Sequence, residues 1–142
     1  MKKFVLGVSL IAIITGCTQL NDRFFGNRPG ESDQSQLAKR SYQSRLFATN
    51  SDKVLRNVVA TLQDQDFVIE RADKGMSLVT ATKASGMSMT KMTVTVRVKD
   101  KDQTIVRANA VKNNQQIEDP KFYQVFFNAL SQSLFLEAQN ID

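Results

Sequence analysis

The chain has 142 residues but no histidine, no tryptophan, one cysteine and two prolines. Each shortage excludes something. Without histidine there is no ordinary general base at neutral pH, no imidazole metal ligand and no side chain that switches charge near neutrality. A single cysteine allows no disulfide within the chain, so the fold must rest on its core. Nucleophilic catalysis of the Ser-His or Cys-His kind lacks its base, and the chain reads as a non-enzyme with no cofactor. Clustered charge is missing as well. The net charge is +5, of which Lys2 and Lys3 supply two, and the other lysines and arginines are interspersed with acids. A nucleic-acid binder would gather them on one face or stretch, so nucleic acid is not an expected partner. The last absence is a long apolar run: Phe4–Thr15 is uncharged for only about a dozen residues, too few to span a bilayer as a helix.

What is present begins there. Lys2 and Lys3 give a positive start, the run FVLGVSLIAIIT follows, and Ile14-Thr15-Gly16-Cys17 closes it. Charged start, short apolar region and small residues before the end form the pattern of an export signal. The closing tetrapeptide resembles the lipobox of bacterial lipoproteins: a branched aliphatic, a small residue, Gly, then Cys. The resemblance implies cleavage between Gly16 and Cys17, acyl chains on the Cys17 thiol, and attachment to a membrane through them. One chain holds a protein only marginally, while two or three hold it firmly. It also implies that, in double-membrane bacteria, Asp directly after the lipidated cysteine retains a lipoprotein on the inner membrane. Thr18 stands there, so the expected location is the outer membrane, with the domain facing the periplasm.

Three regions are expected: a signal over 1–16, a lipidated flexible tether over 17–40, and a single domain over 41–142. The tether is rich in Asn, Gln, Ser, Asp, Gly and Pro and has no period of 2 or 3.6. Phe24 and Phe25 stand out in it, as candidates for the lipid interface, for a partner, or for packing on the domain itself.

Within the domain, Ser41–Thr49 alternates loosely and reads as a strand. Asn50-Ser51-Asp52 supplies helix N-cap chemistry, and Leu55, Val58, Val59 and Leu62 give the helix over 53–63 one apolar face. Strands are expected over 67–72 and 76–83, joined by a turn in which Gly75 takes positive φ. Ser85–Ser88, around Gly86, reads as a looser connection. The clearest strand is 91–99, with Met92, Val94, Val96 and Val98 on one face and Lys91, Thr93, Thr95, Arg97 and Lys99 on the other. Residues 104–111 return, with Val106, Ala108 and Ala110 inward and Ile105, Arg107, Asn109 and Val111 outward. Asp119-Pro120 opens a closing helix to about Ala138, whose apolar face is Phe122, Tyr123, Phe126, Phe127, Leu130, Leu134 and Phe135. The order β-α-β-β-β-β-α predicts an α+β fold of two layers: a largely antiparallel sheet of about five strands with two helices on one face.

Candidate sites are few. The pairs Asp64/Asp66 and Asp100/Asp102 lack the ligand number and the longer loop of a calcium site, and read as solvated turns. Glu118-Asp119 reads as a helix cap. Met76, Met87, Met89 and Met92 are close in sequence, and thioethers can bind reduced copper, but methionine is more often core filler or a soft surface. The feature of most interest is the outward face of the two long strands: Arg97, Lys99, Arg107 and Asn109 on a flat basic surface suited to a protein partner, an anionic glycan or lipid head groups. The simpler reading is the wet face that antiparallel sheets commonly carry.

Lipobox, tether, the helix over 54–62, the phrase TLQDQDFVIERADKGMSLVTATK and an aromatic closing helix together resemble small envelope lipoproteins of helix-grip, TBP-like fold, including the BamC type. The resemblance implies a fold and an envelope setting, and carries no functional residue set. BamC-type proteins, which accompany the outer-membrane barrel-assembly machinery, are longer and carry two such domains; this chain has room for one. Two non-enzymatic functions follow: an accessory or scaffold subunit of an envelope assembly, secretion or efflux complex, or a carrier or sensor of lipid or glycan. The carrier would need a cavity lined by Phe122, Phe126 and Met92.

Overall fold

Asn50 opens the first of the helices that pack on the sheet. Its side-chain oxygen accepts from the Lys53 amide at 2.9 Å, capping α2 (Ser51–Asp64). The same helix ends in a paired C-terminal motif. The Phe67 amide bonds the Leu62 carbonyl and the Asp66 amide bonds the Gln63 carbonyl, each at 2.9 Å, with Asp66 at φ 62°. Phe67, just beyond, folds back into the core cluster that holds Leu62.

The structure, a computed structural model, describes residues 29–139; the signal, Cys17, Thr18, Phe24 and Phe25 lie outside them. The remaining elements are α1 (Pro29–Gln43), β1 (Ser44–Phe47), β2 (Val68–Asp73), β3 (Leu78–Ser85), β4 (Ser88–Asp100), β5 (Gln103–Lys112), β6 (Gln115–Gln116) and α3 (Pro120–Ala138). The strands form one antiparallel sheet in the order β1-β5-β4-β3-β2, with β6 folded onto the end of β5. The expected α+β class holds, with an additional short strand and an additional helix.

Alternation decides the faces. Val79 and Ala81 of β3, Met92, Val94 and Val96 of β4, and Val106, Ala108 and Ala110 of β5 all point at the helices and are buried. Alanines in the sheet leave room for the large side chains above them: Tyr123, Phe126, Phe127 and Leu130 of α3, with Val54, Val58 and Leu62 of α2. Burying such side chains is the main force holding the layers together, at roughly 1.5–3 kcal/mol each for the larger ones.

Several details differ from the sequence reading. Residues 29–43 form α1, where a tether to residue 40 and a strand from Ser41 were expected; only Ser44–Phe47 is strand. Tyr42 packs on the core and Gln43 is buried, so tertiary contact holds a segment with little apolar periodicity. In the β2–β3 turn, Ser77 rather than Gly75 takes positive φ (51°), because Asp73 Oδ1 accepts from the Met76 amide and shifts the left-handed residue onward. The β3–β4 connection is a tight two-residue turn: Ser85 pairs with Ser88, and Gly86 sits at φ 58° in its first central position. Val98 and Phe135 are exposed, at 66% and 62%, where inward places were expected: Phe135 falls off the face of α3 that Leu134 packs on the core and from which Ser133 and Glu137 bond Asn57 of α2.

Candidate functional site

The outward face of the sheet is ordered in rows by strand register. One row runs Leu78, Thr95, Arg107, Ser44; the next runs Arg97, Ile105, Leu46; on the other side lie Thr80, Thr93 and Asn109. Because Arg97 stands opposite Ile105 and Thr95 opposite Arg107, the two arginines are diagonal neighbours across the β4–β5 pair, with Cβ atoms about 7 Å apart by ordinary sheet geometry.

α1 turns this face into a groove of about 810 Å³. Thr93, Thr95, Arg97, Ile105, Arg107 and Asn109 are the floor. Gln36, Lys39, Arg40 and Gln43 line it from the helix, with Ser44 and Gln116 along the margin. The last turn of α1 is fixed in the sandwich edge. Gln43 Nε2 donates to the Tyr123 hydroxyl at 3.2 Å, and the Tyr42 and Tyr123 rings lie 5.5 Å apart. One turn earlier, Lys39 Nζ is 2.5 Å from Glu118 Oε1, ahead of α3. That carboxylate raises the Lys39 pKa above its ordinary value, first through the hydrogen bond and then through charge attraction.

The electrostatics of the groove are one-sided. Among the described residues no carboxylate lines it, and their ion pairs do not include Arg40, Arg97 or Arg107. The neighbouring part of the same face is neutralised instead: Lys91 Nζ meets Glu70 Oε2 at 2.9 Å, which holds the Glu70 carboxyl below its ordinary pKa. Around the three guanidinium groups stand hydroxyls and amides, with Ile105 the lone aliphatic side chain of the floor. Chemically this is an oxyanion-binding lining. A guanidinium offers a planar fork of donors suited to carboxylate or phosphate, strengthened by charge.

Of the residues expected from sequence, the groove brings together Arg97, Arg107 and Asn109. Lys99, farther along β4, is exposed and does not line it. Lys39 and Arg40 were missed, since they fell in the expected tether. A basic dipeptide close before a strand was the available signal, and nothing in one sequence places it against a sheet. Cys17 and Gly16 lie outside the described residues.

The aromatic end of the sandwich offers a smaller opening. Met92 is fully buried and Phe126 nearly so in a packed core, so no cavity lies between the layers at those two residues. Phe67, Phe122, Val125 and Phe126 instead line an open pocket of about 370 Å³ at the end of the sandwich, with Lys83 and Lys112 beside it. Lys83 is already engaged: its ammonium donates to the Gln65 carbonyl at 2.8 Å and stands 3.3 Å from Asp66 Oδ2, closing the end of α2. Among the described residues, no cluster of three or more acidic or cysteine side chains could hold a metal ion, and no helix is long and apolar enough to cross a membrane. No protein-family model matches the chain, and no curated protein matches it either.

Proposed function

We propose that this chain is a membrane-anchored, non-enzymatic envelope lipoprotein, held to the outer membrane by acyl chains on Cys17 and facing the periplasm. In this reading it is an accessory or scaffold subunit of an assembly, secretion or efflux complex, and its partner is a protein docked on the outer sheet face. The lipobox Ile14-Thr15-Gly16-Cys17 supports the anchor, and Thr18 supports the outer membrane. The observation that carries the docking surface is the groove, which Arg40, Arg97 and Arg107 line together with no acid among the described lining residues. Structural arginines usually stand beside carboxylates; three without one favour a counterpart from outside.

Two variants test the proposal. Cys17→Ala should move the protein from the membrane to the soluble fraction, and a variant still sedimenting with membranes refutes the anchor. Arg97→Glu with Arg107→Glu should abolish recovery of a partner cross-linked in native membranes, and unchanged recovery rejects the surface. A second reading, a lipid carrier, draws on the aromatic end pocket beside Lys112. Lipid retained in native mass spectra, and lost on Phe122→Glu, would favour it over docking.

A further inference from the structure

Resting on the docking reading above, we infer that the groove between α1 and the sheet takes an extended acidic segment of the partner protein, with carboxylates on alternate residues. The spacing is the first argument. In an extended chain, residues two apart lie on one face and are separated by about 7 Å. Arg97 and Arg107 are diagonal neighbours at the same separation, so aspartates at i and i+2 of a strand laid along the floor meet one guanidinium each.

The shape of the site is the second argument. A helix stands over a sheet floor, so the site has two walls; a flat bilayer surface cannot enter, while a single extended chain can. The lining is the third. Hydroxyls of Thr93 and Thr95 and the amides of Asn109 and Gln116 can serve the backbone and side-chain oxygens of a peptide. Among the described residues no aromatic ring lines the groove, which gives a base or a sugar no described platform on which to stack. The chain already makes one contact of this chemistry: Glu118 stands on Lys39 beside the same groove.

The test uses the detergent-solubilised full chain and labelled peptides followed by fluorescence anisotropy. One peptide alternates aspartate with threonine; a second has the same composition with its aspartates in one block; inorganic polyphosphate is the third probe. The alternating peptide should bind about ten-fold tighter than the blocked one and weaken as salt is raised. Arg97→Glu with Arg107→Glu should weaken it about a hundred-fold, taking each charge-assisted contact as roughly a factor of ten. Arg97→Lys with Arg107→Lys, which keeps the charge and loses the fork, should fall between. Lys121→Glu, exposed on α3 outside the groove, makes the same change of charge at one site, half that of the double variant, and should leave binding within about two-fold, as a fold control. Equal affinity for the two peptides, tighter binding of polyphosphate than of either, or an unaffected double variant overturns the inference. If the Glu double variant loses its cross-linked partner while neither peptide binds the native chain, docking stands and the acidic-strand assignment falls. If that variant keeps its partner, docking itself falls, whatever the peptides do.

Discussion

The hydroxyl of Tyr123 serves three elements at once. It donates to the Ile117 carbonyl at 2.7 Å, and it accepts from the Ala110 amide and from Gln43 Nε2, each at 3.2 Å. One buried oxygen thereby ties the end of β5, the approach to α3 and the last turn of α1, and its ring is fully enclosed. Tyr123→Phe keeps the ring but strands a backbone amide, a carbonyl and a side-chain amide away from water. Leaving buried polar groups unpaired costs about 1–3 kcal/mol, more than the net worth of the bonds themselves. Urea unfolding should show that loss with an unchanged slope, and a Tyr123→Phe variant as stable as the native chain would mean the three groups find other partners. A double-mutant cycle with Gln43→Leu should give a coupling of about 0.5–3 kcal/mol, the range for residues in one network.

Among the elements, α1 has its described contacts with the body near its C-terminal end, and some of them titrate. The Lys39 pKa is raised above 10.5 by Glu118, and burial raises that of Tyr42 above 10.0. Both groups favour the protonated form in the folded state. Their contribution is therefore whole below the unfolded values and is lost as pH rises through the folded ones. Far-UV circular dichroism should lose helix above about pH 10 while the sheet signal persists, and Tyr42 should titrate later than a free phenol by tyrosinate absorbance. A single transition in which helix and sheet vanish together would show α1 to be no separate unit. The same element marks the limit of what the sequence discloses. α3 was legible to its end residues because Asp119-Pro120 caps a helix with a strong apolar face. β4 and β5 were legible because each buries one face only, so Arg97, Arg107 and Asn109 could be assigned outward before any coordinates. α1 contains Leu37, Ala38 and Tyr42 among polar residues, too few to show a period; its helix is stabilised by contacts with residues some eighty positions away in sequence. Hence half the groove was readable and the half contributed by Lys39 and Arg40 was not. β6 has two residues, but Asn113-Asn114, both at positive φ, is the pair that a tight hairpin turn favours and was the signal available for it.

At the scale of the molecule, acid should loosen the whole body. Glu137 accepts from Asn57, which is the main reason its carboxyl is held below 4.5, with Arg56 at 3.4 Å and Lys53 at 4.0 Å adding to it. This joins α2 to α3. Glu70 is lowered by Lys91 across the sheet, and Asp73 chiefly by the Met76 amide in the β2–β3 turn. All three bind fewer protons folded than unfolded, so their contribution is present above the unfolded values and disappears as pH falls through the folded ones. Melting temperature should be nearly flat between about pH 7 and 5 and fall below about 4.5, and Glu137→Gln should shrink that fall. A melting temperature that rises on acidification would contradict the assignment. With no histidine in the chain, no side chain at its ordinary pKa adds a transition between about pH 5 and 8.

The tilted contact of the Tyr42 and Tyr123 rings has an optical consequence. The chain has two tyrosines and no tryptophan, so these rings are its dominant ultraviolet emitters. They sit 5.5 Å apart across the joint between α1 and the body. Native emission therefore reports one place only: whether the helix that forms one wall of the groove is seated. A ligand that shifts or lifts α1 announces itself without a label, in the native sequence.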